Sequence, residues 1–244
     1  MTHIEIERLD QSGDIRTIAE EAGALDPSGT RRDLLRTAGI GAAGVGVFAG
    51  MLSPLEAFAA AASTKGKWSK KKSAANDVKI GNYALTLEYL EAAFYKQASN
   101  GGALTDPDIS GFAQKLSEHE AAHVAALKKV LGSKAVKAPK VEFGNTVTDQ
   151  TQFLLTAIKL EPVGTAAYQG AGPYIFSPAI VKAALSILPV EANHAAYAAL
   201  LGKLKGIKTD ADPAPFSFYK EAGFDGTVAQ VTKTGFVTGT LQPS

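Results

Sequence analysis

The sequence predicts an all-α fold: a four-helix bundle of two helical hairpins joined by a long crossover, with an irregular C-terminal tail. Three observations predict it. From residue 76 onward apolar side chains recur at the three-to-four-residue spacing of a helix in four blocks, and nothing alternates long enough to read as a strand. Short glycine- and proline-rich breaks separate the first block from the second and the third from the fourth, with one longer connection between the two pairs. The Glu and His residues of the first pair recur, in order, in the second pair.

The first block covers 77–98, with Asn76 or Asp77 as N-cap and Asn100-Gly101-Gly102 as the stop. The second covers 108–131 and closes at Gly132. The third, 148–169, runs into the breaker Gly170-Ala171-Gly172-Pro173, and the fourth, 177–204, stops near Gly206. Helices of roughly 20 to 28 residues are about 30 to 42 Å long, which suits a bundle. The short first–second and third–fourth links force antiparallel neighbours. The connection at 132–147, fully extended, reaches about 50 Å, enough to run the length of a bundle. The tail at 210–244 carries Phe216, Phe218, Phe224 and Phe236 without a clear period. The bundle domain is therefore expected at 76–209.

The first 59 residues read as an address. Arg31 and Arg32 stand before an uncharged Gly- and Ala-rich apolar run at 37–52, followed by the small-x-small pattern Ala57-Phe58-Ala59. This looks like a twin-arginine signal with an extended n-region at 1–29 and cleavage after Ala59. An uncleaved anchor or a surface helix is the alternative, although the run is shorter than the roughly 20 residues that span a bilayer. The expected partners are the twin-arginine translocation machinery and signal peptidase, and the expected location is the periplasm, the cell envelope or the exterior. Resemblance to that pathway implies translocation in the folded state. The segment 60–75 follows as a linker, with Lys65, Lys67, Lys70, Lys71 and Lys72 around the single tryptophan, Trp68. It reads as a solvated spacer, with a weak contact to an anionic envelope surface as the alternative.

Composition narrows the chemistry. Among 244 residues, 25 basic and 24 acidic side chains leave a net charge of +1, so no overall field argues for nucleic acid. The absence of cysteine removes disulfides, thiolate nucleophiles and Cys-ligated zinc or iron–sulfur sites. A metal must be bound by His and carboxylates.

The sequence supplies such a set. Residues three apart share a helix face, so Glu120-Ala121-Ala122-His123 and Glu191-Ala192-Asn193-His194 each present a carboxylate and an imidazole side by side. Glu88 and Glu161, in the first and third helices, add one inward carboxylate each. Their displacements along the chain agree with those of the two Glu-x-x-His motifs to within two residues. Four carboxylates and two imidazoles are the ligand set of di-iron and di-manganese bundles, and two divalent cations balance the four buried charges. The expected ligands are thus Glu88, Glu120, His123, Glu161, Glu191 and His194, holding two iron or manganese ions. Glu91, three residues from Glu88, could replace it; its repeat equivalent is Gly164, which favours Glu88. His119 is read as exposed on another face, and Glu118 as solvated. Tyr95 and Tyr168 lie seven residues beyond the single glutamates, two turns along the same face, and are either core residues or hydrogen-bond partners near the metals.

The stretches ALTLEYLEAAFY, SEHEAAHVAAL, KLEPVGTAAYQGA and PVEANHAAYAAL, spread over 76–205, resemble exported bacterial ferritin-like domain proteins of the type called desiccation-related. The resemblance implies the same six ligands and oxidation of Fe(II) by oxygen or peroxide as the generic chemistry. Pro162 after Glu161 and Pro189 before Glu191 depart from the pattern, and each removes a helical hydrogen bond beside the second half-site. Three functions remain open on sequence grounds: a redox-active dinuclear centre in stress protection, a non-catalytic protective bundle retaining the ligand pattern, and a binding module whose metals staple the helices. Self-association is left open.

Overall fold

The structure, a computed structural model, describes residues 67–234 and Phe236. The signal-region expectations, and the linker up to residue 66, lie outside the described residues. Within the described residues the fold is helical: α1 Ala74–Asn100, α2 Pro107–Leu131, α3 Gln150–Ala171, α4 Pro178–Leu204 and α5 Phe224–Thr234, with short 3-10 turns at Gly132–Lys134, Gly144–Val147 and Gly172–Tyr174. Helices α1 and α2 pack as one hairpin and α3 and α4 as the other, and the hairpins meet through α1–α3 and α2–α4 contacts. No described helix is long and apolar enough to cross a membrane.

Caps set the helix ends. Asp106 accepts from the backbone N–H groups of Asp108 and Ile109 ahead of Pro107, and Asp149 accepts from Gln152. Gly132 ends α2 at φ 57°, where a side chain would be strained. The start of α1 differs from expectation, because its cap is Ser73, which bonds the N–H of Asn76. Asn76 and Asp77 are thereby buried in the first turn, where they fasten other segments. Asn76 exchanges hydrogen bonds with the backbone of Ser69, and the Asp77 carboxylate accepts the N–H groups of Phe176 and Ser177 at 2.7 and 2.9 Å, anchoring the start of α4.

Two segments read as featureless are built into the core. Trp68, placed in a solvated spacer, is buried and stacks on Tyr174 at 5.7 Å with its edge toward Tyr83; Lys67, Lys70, Lys71 and Lys72 stay exposed, with Lys70 over the Tyr174 ring. Burying one large indole outweighs the polarity of its neighbours, whose charges never leave water. The tail, expected to be irregular, is so only as far as Gly223. Helix α5 then buries Phe224, Thr227 and Val231, a three-then-four spacing, and packs against α3. Its β-branched residues and Gly226 are poor helix formers, so packing rather than propensity holds it.

The proline departures leave both helices unbroken: α3 runs through Pro162 and α4 through Pro189. On α3, the tail supplies an outside contact close by. The N–H of Ala222 bonds the carbonyl of Ala166 at 3.0 Å, and this approach requires glycine at 170, where a Cβ would fall 2.1 Å from the Ala222 oxygen.

Candidate metal centre

The six predicted side chains meet in the middle of the bundle. Glu88 comes from α1, Glu120 and His123 from α2, Glu161 from α3, and Glu191 and His194 from α4. All are buried, and Glu120, Glu161 and Glu191 have no exposed surface. They form two groups whose donor atoms lie within 4.8 Å of one another: Glu88, Glu120, His123 and Glu191 in one, and Glu120, Glu161, Glu191 and His194 in the other. Glu120 and Glu191 belong to both, and each group draws residues from both hairpins.

The directions of the donor atoms are as telling as the distances. His123 Nδ1 lies 3.1, 3.1 and 3.0 Å from oxygens of Glu88, Glu120 and Glu191, more acceptors than one N–H can serve. His194 Nδ1 lies 2.9 Å from Glu120 Oε1 and 3.2 Å from Glu161 Oε2, yet none of these three atoms makes a hydrogen bond of acceptable direction. Both oxygens of Glu191 are likewise buried without a partner. The lone pairs converge side by side instead of pointing at one another. Orphaned buried polar atoms are costly, and so many in one place fit a site whose partners are cations. The donor set can hold metal ions.

The electrostatics agree. Burial, and then the Glu191 charge, hold Glu88 well above the usual carboxylate range. Burial raises Glu161, and burial with the Glu120 charge pushes Glu191 up to about 8. Glu120 goes the other way: burial alone would raise it, but the adjacent His123 and His194 imidazoles bring it down to about 2. Burial opposes a charge on His123 and His194, but their carboxylate neighbours outweigh it and lift them to about 12 and about 10. The cluster has a strong demand for positive charge.

Tyr95 and Tyr168 cross between the hairpins. The Tyr168 hydroxyl, on α3, donates to Glu88 Oε1 of α1 at 2.5 Å, and the Tyr95 hydroxyl, on α1, donates to Glu161 Oε1 of α3. Each single glutamate therefore has one oxygen held by a phenol from the opposite hairpin, and the approximate two-fold symmetry of the sequence repeat extends to these bonds.

Two residues were misjudged from sequence. Glu91, weighed only as a substitute for Glu88, is buried beside it as a fifth carboxylate with its Oε2 unpartnered. Burial and then the Glu191 charge hold it well above the usual carboxylate range. Opposite lies Gly164, where a Cβ would come 2.5 Å from Glu191 Oε2 and 3.3 Å from Glu91 Oε1. The mismatch in the repeat is the space that admits the extra carboxylate. His119, read as exposed, is half-buried, and its Nδ1 lies 2.9 Å from His194 Nε2 with the two rings nearly coplanar, edge to edge. The signal was available, since residues four apart on a helix differ by only about 40° around its axis, which sets His119 on the His123 face. Glu118 is exposed as expected, paired only with Lys115.

A family model described as the ferritin-like domain matches residues 76–203, over half of the chain. The chain belongs to that family. The matched residues of the ferritin-like domain span α1 to α4 and contain every residue of the cluster. Trp68 and α5 lie outside the match and complete the same core. No curated protein matches the sequence.

Proposed function

We propose that this ferritin-like domain is a dinuclear iron or manganese protein that oxidises Fe(II) or reacts with oxygen or peroxide, and that it acts outside the cytoplasm in protection against metal or oxidant stress. One observation carries the reading: two four-residue donor groups share Glu120 and Glu191, which is the arrangement of two metal positions with common carboxylates. Glu88, Glu120, His123 and Glu191 would hold one ion, and Glu120, Glu161, Glu191 and His194 the other. When bound, such a pair supplies one-electron redox chemistry toward oxygen or peroxide.

The residues around the site have separable tasks. Glu88 and Glu161 each offer one oxygen inward while Tyr168 and Tyr95 hold the other, which orients both carboxylates before anything binds. The cluster is buried within an apolar core that includes Leu87, Leu90, Leu116 and Leu160, which excludes bulk water and restricts access to small reactants. Export rests on Arg31, Arg32, the apolar run at 37–52 and Ala57-Phe58-Ala59, and replacing both arginines with lysine should block translocation of the chain.

The deciding experiment measures iron, manganese and zinc per chain in untagged protein and in a His123→Ala/His194→Ala variant. Two equivalents of iron or manganese, lost in the variant, together with oxygen or peroxide consumption by the loaded protein, are the expected result. No metal after anaerobic loading with Fe(II) or Mn(II) would sink the proposal. Full loading with no turnover would leave a metal-stapled protective bundle instead.

A further inference from the structure

We propose that His119 is a positioning residue for one of the two metal positions, accepting a hydrogen bond from His194 Nε2–H and so fixing the tautomer that leaves His194 Nδ1 free for a metal ion. The inference rests on the dinuclear reading above and adds an asymmetry that the repeat does not predict.

The geometry defines the roles of the nitrogens. His194 Nδ1 faces inward, 2.9 Å from Glu120 Oε1 and 3.2 Å from Glu161 Oε2, while Nε2 faces outward, 2.9 Å from His119 Nδ1. A neutral imidazole carries one proton. A metal ion on Nδ1 leaves that proton on Nε2, so the bond can run only from His194 to His119, whose own proton then sits on its outer nitrogen. If His119 donated instead, His194 would carry its proton on Nδ1, where the metal must be. The direction of one hydrogen bond is therefore tied to occupancy of one metal position. An outer partner of this kind fixes ring orientation and raises the basicity of the ligating imidazole.

The two rings lie nearly coplanar and edge to edge, 5.2 Å between centroids and 18° from parallel, as an in-plane N–H···N bond requires, and the bond joins α2 to α4. The other half of the site lacks this device. Glu120 corresponds to Glu191 in the repeat, so the counterpart of His119 is Val190, which has no nitrogen to offer His123. The two metal positions share a ligand chemistry but differ in how firmly their imidazoles are held.

Zn(II), being diamagnetic, allows a direct test on the full chain by imidazole ¹⁵N NMR and by competition with a chelator of known affinity, in wild type, His119→Phe and His119→Gln. The phenylalanine keeps an aromatic ring of similar bulk without an acceptor, and the glutamine restores an acceptor without the ring. The expected result in Zn(II)-loaded wild type is a proton on His194 Nε2 and none on His119 Nδ1. His119→Phe should weaken one of the two equivalents about 10- to 100-fold and leave the other unchanged, and His119→Gln should recover most of that loss. A proton on His119 Nδ1 in the loaded protein, or His119→Phe binding both equivalents as wild type does, would overturn the inference while leaving the dinuclear reading intact. So would equal weakening of both equivalents, which marks general loosening of the bundle. Wild type that takes up no metal would overturn both.

Discussion

Gly164→Ala separates a built metal centre from a chance gathering of carboxylates. In an ordinary helix interior, replacing glycine with alanine stabilises by about 1 kcal/mol through backbone entropy. At position 164 the added Cβ would sit 2.5 Å from Glu191 Oε2, and ordinary contact begins near 3.4 Å, so one side must move by about 0.9 Å. Helix α3 is poorly placed to withdraw, since Ala222 is bonded to Ala166 and pressed against Gly170 on the same helix. Glu191 must yield, and it belongs to both donor groups. Overpacking of this kind costs about 1 to 3 kcal/mol, which exceeds the propensity gain. A displacement near 1 Å at a functional group costs on the order of 100-fold. The expected outcome is a chelated protein with unchanged helical content, a Tm lowered by several degrees, and weaker Mn(II) binding at both positions in calorimetry. Gly111→Ala on α2, with nothing within 4 Å of the new Cβ, is the control and should raise Tm. A Gly164→Ala protein that is more stable and binds two ions with wild-type affinity would refute the placement of Glu191 and its role as a shared ligand.

Further outcomes follow from the same geometry. Tyr168→Phe and Tyr95→Phe each free one buried carboxylate oxygen, on Glu88 and Glu161 respectively, and each should cost about 1 to 3 kcal/mol of chelated-state stability by thermal unfolding; two unequal or negligible effects would contradict the symmetric bonding. In chelated protein, Glu191, His194 and His123 are all raised in the folded state, so their contribution is full below about 4.5 for the carboxyl and about 6.5 for the imidazoles and is lost as pH climbs through about 8, 10 and 12. Glu120, lowered to about 2, opposes this only below about 4.5. Metal binding needs the ligands deprotonated, so the Tm gap between Mn(II)-loaded and chelated protein should widen between about pH 6 and 9, and a constant gap would argue against proton displacement at these residues. Asp77→Ala removes an acceptor of two backbone N–H groups at the start of α4 and should lower Tm by an amount equivalent to about 1 to 3 kcal/mol without changing metal stoichiometry; loss of metal would show that α4 depends on this anchor for its register.

The bundle was legible because its signals are local and repeated. Four helical periods, glycine stops and two Glu-x-x-His motifs each need only a few neighbouring residues to be read. The residues that escaped depend on partners far away in sequence. Glu91 makes sense only with Gly164 opposite it, and His119 only with His194. Trp68 needs Tyr174 and Tyr83, and α5, with its β-branched residues, needs the flank of α3. Asp77 looked like a cap, but its carboxylate instead fastens the two residues that lead into the fourth helix. Pro162 and Pro189 looked like threats to the second half-site because their lost hydrogen bonds are visible in sequence, whereas the packing that keeps α3 and α4 continuous is not.

The burial of Trp68 gives the protein an optical reporter. It is the only tryptophan, so emission excited at the red edge of the absorption band comes from one known place, against Tyr174 and Tyr83 beside Phe224. The segment before α1 and helix α5 meet there, bridged by Lys67 and Asp225 at 2.5 Å. A red shift that precedes loss of helical circular dichroism on heating would time the release of the chain's two flanking segments separately from the opening of the bundle, in unlabelled protein and without a mutation.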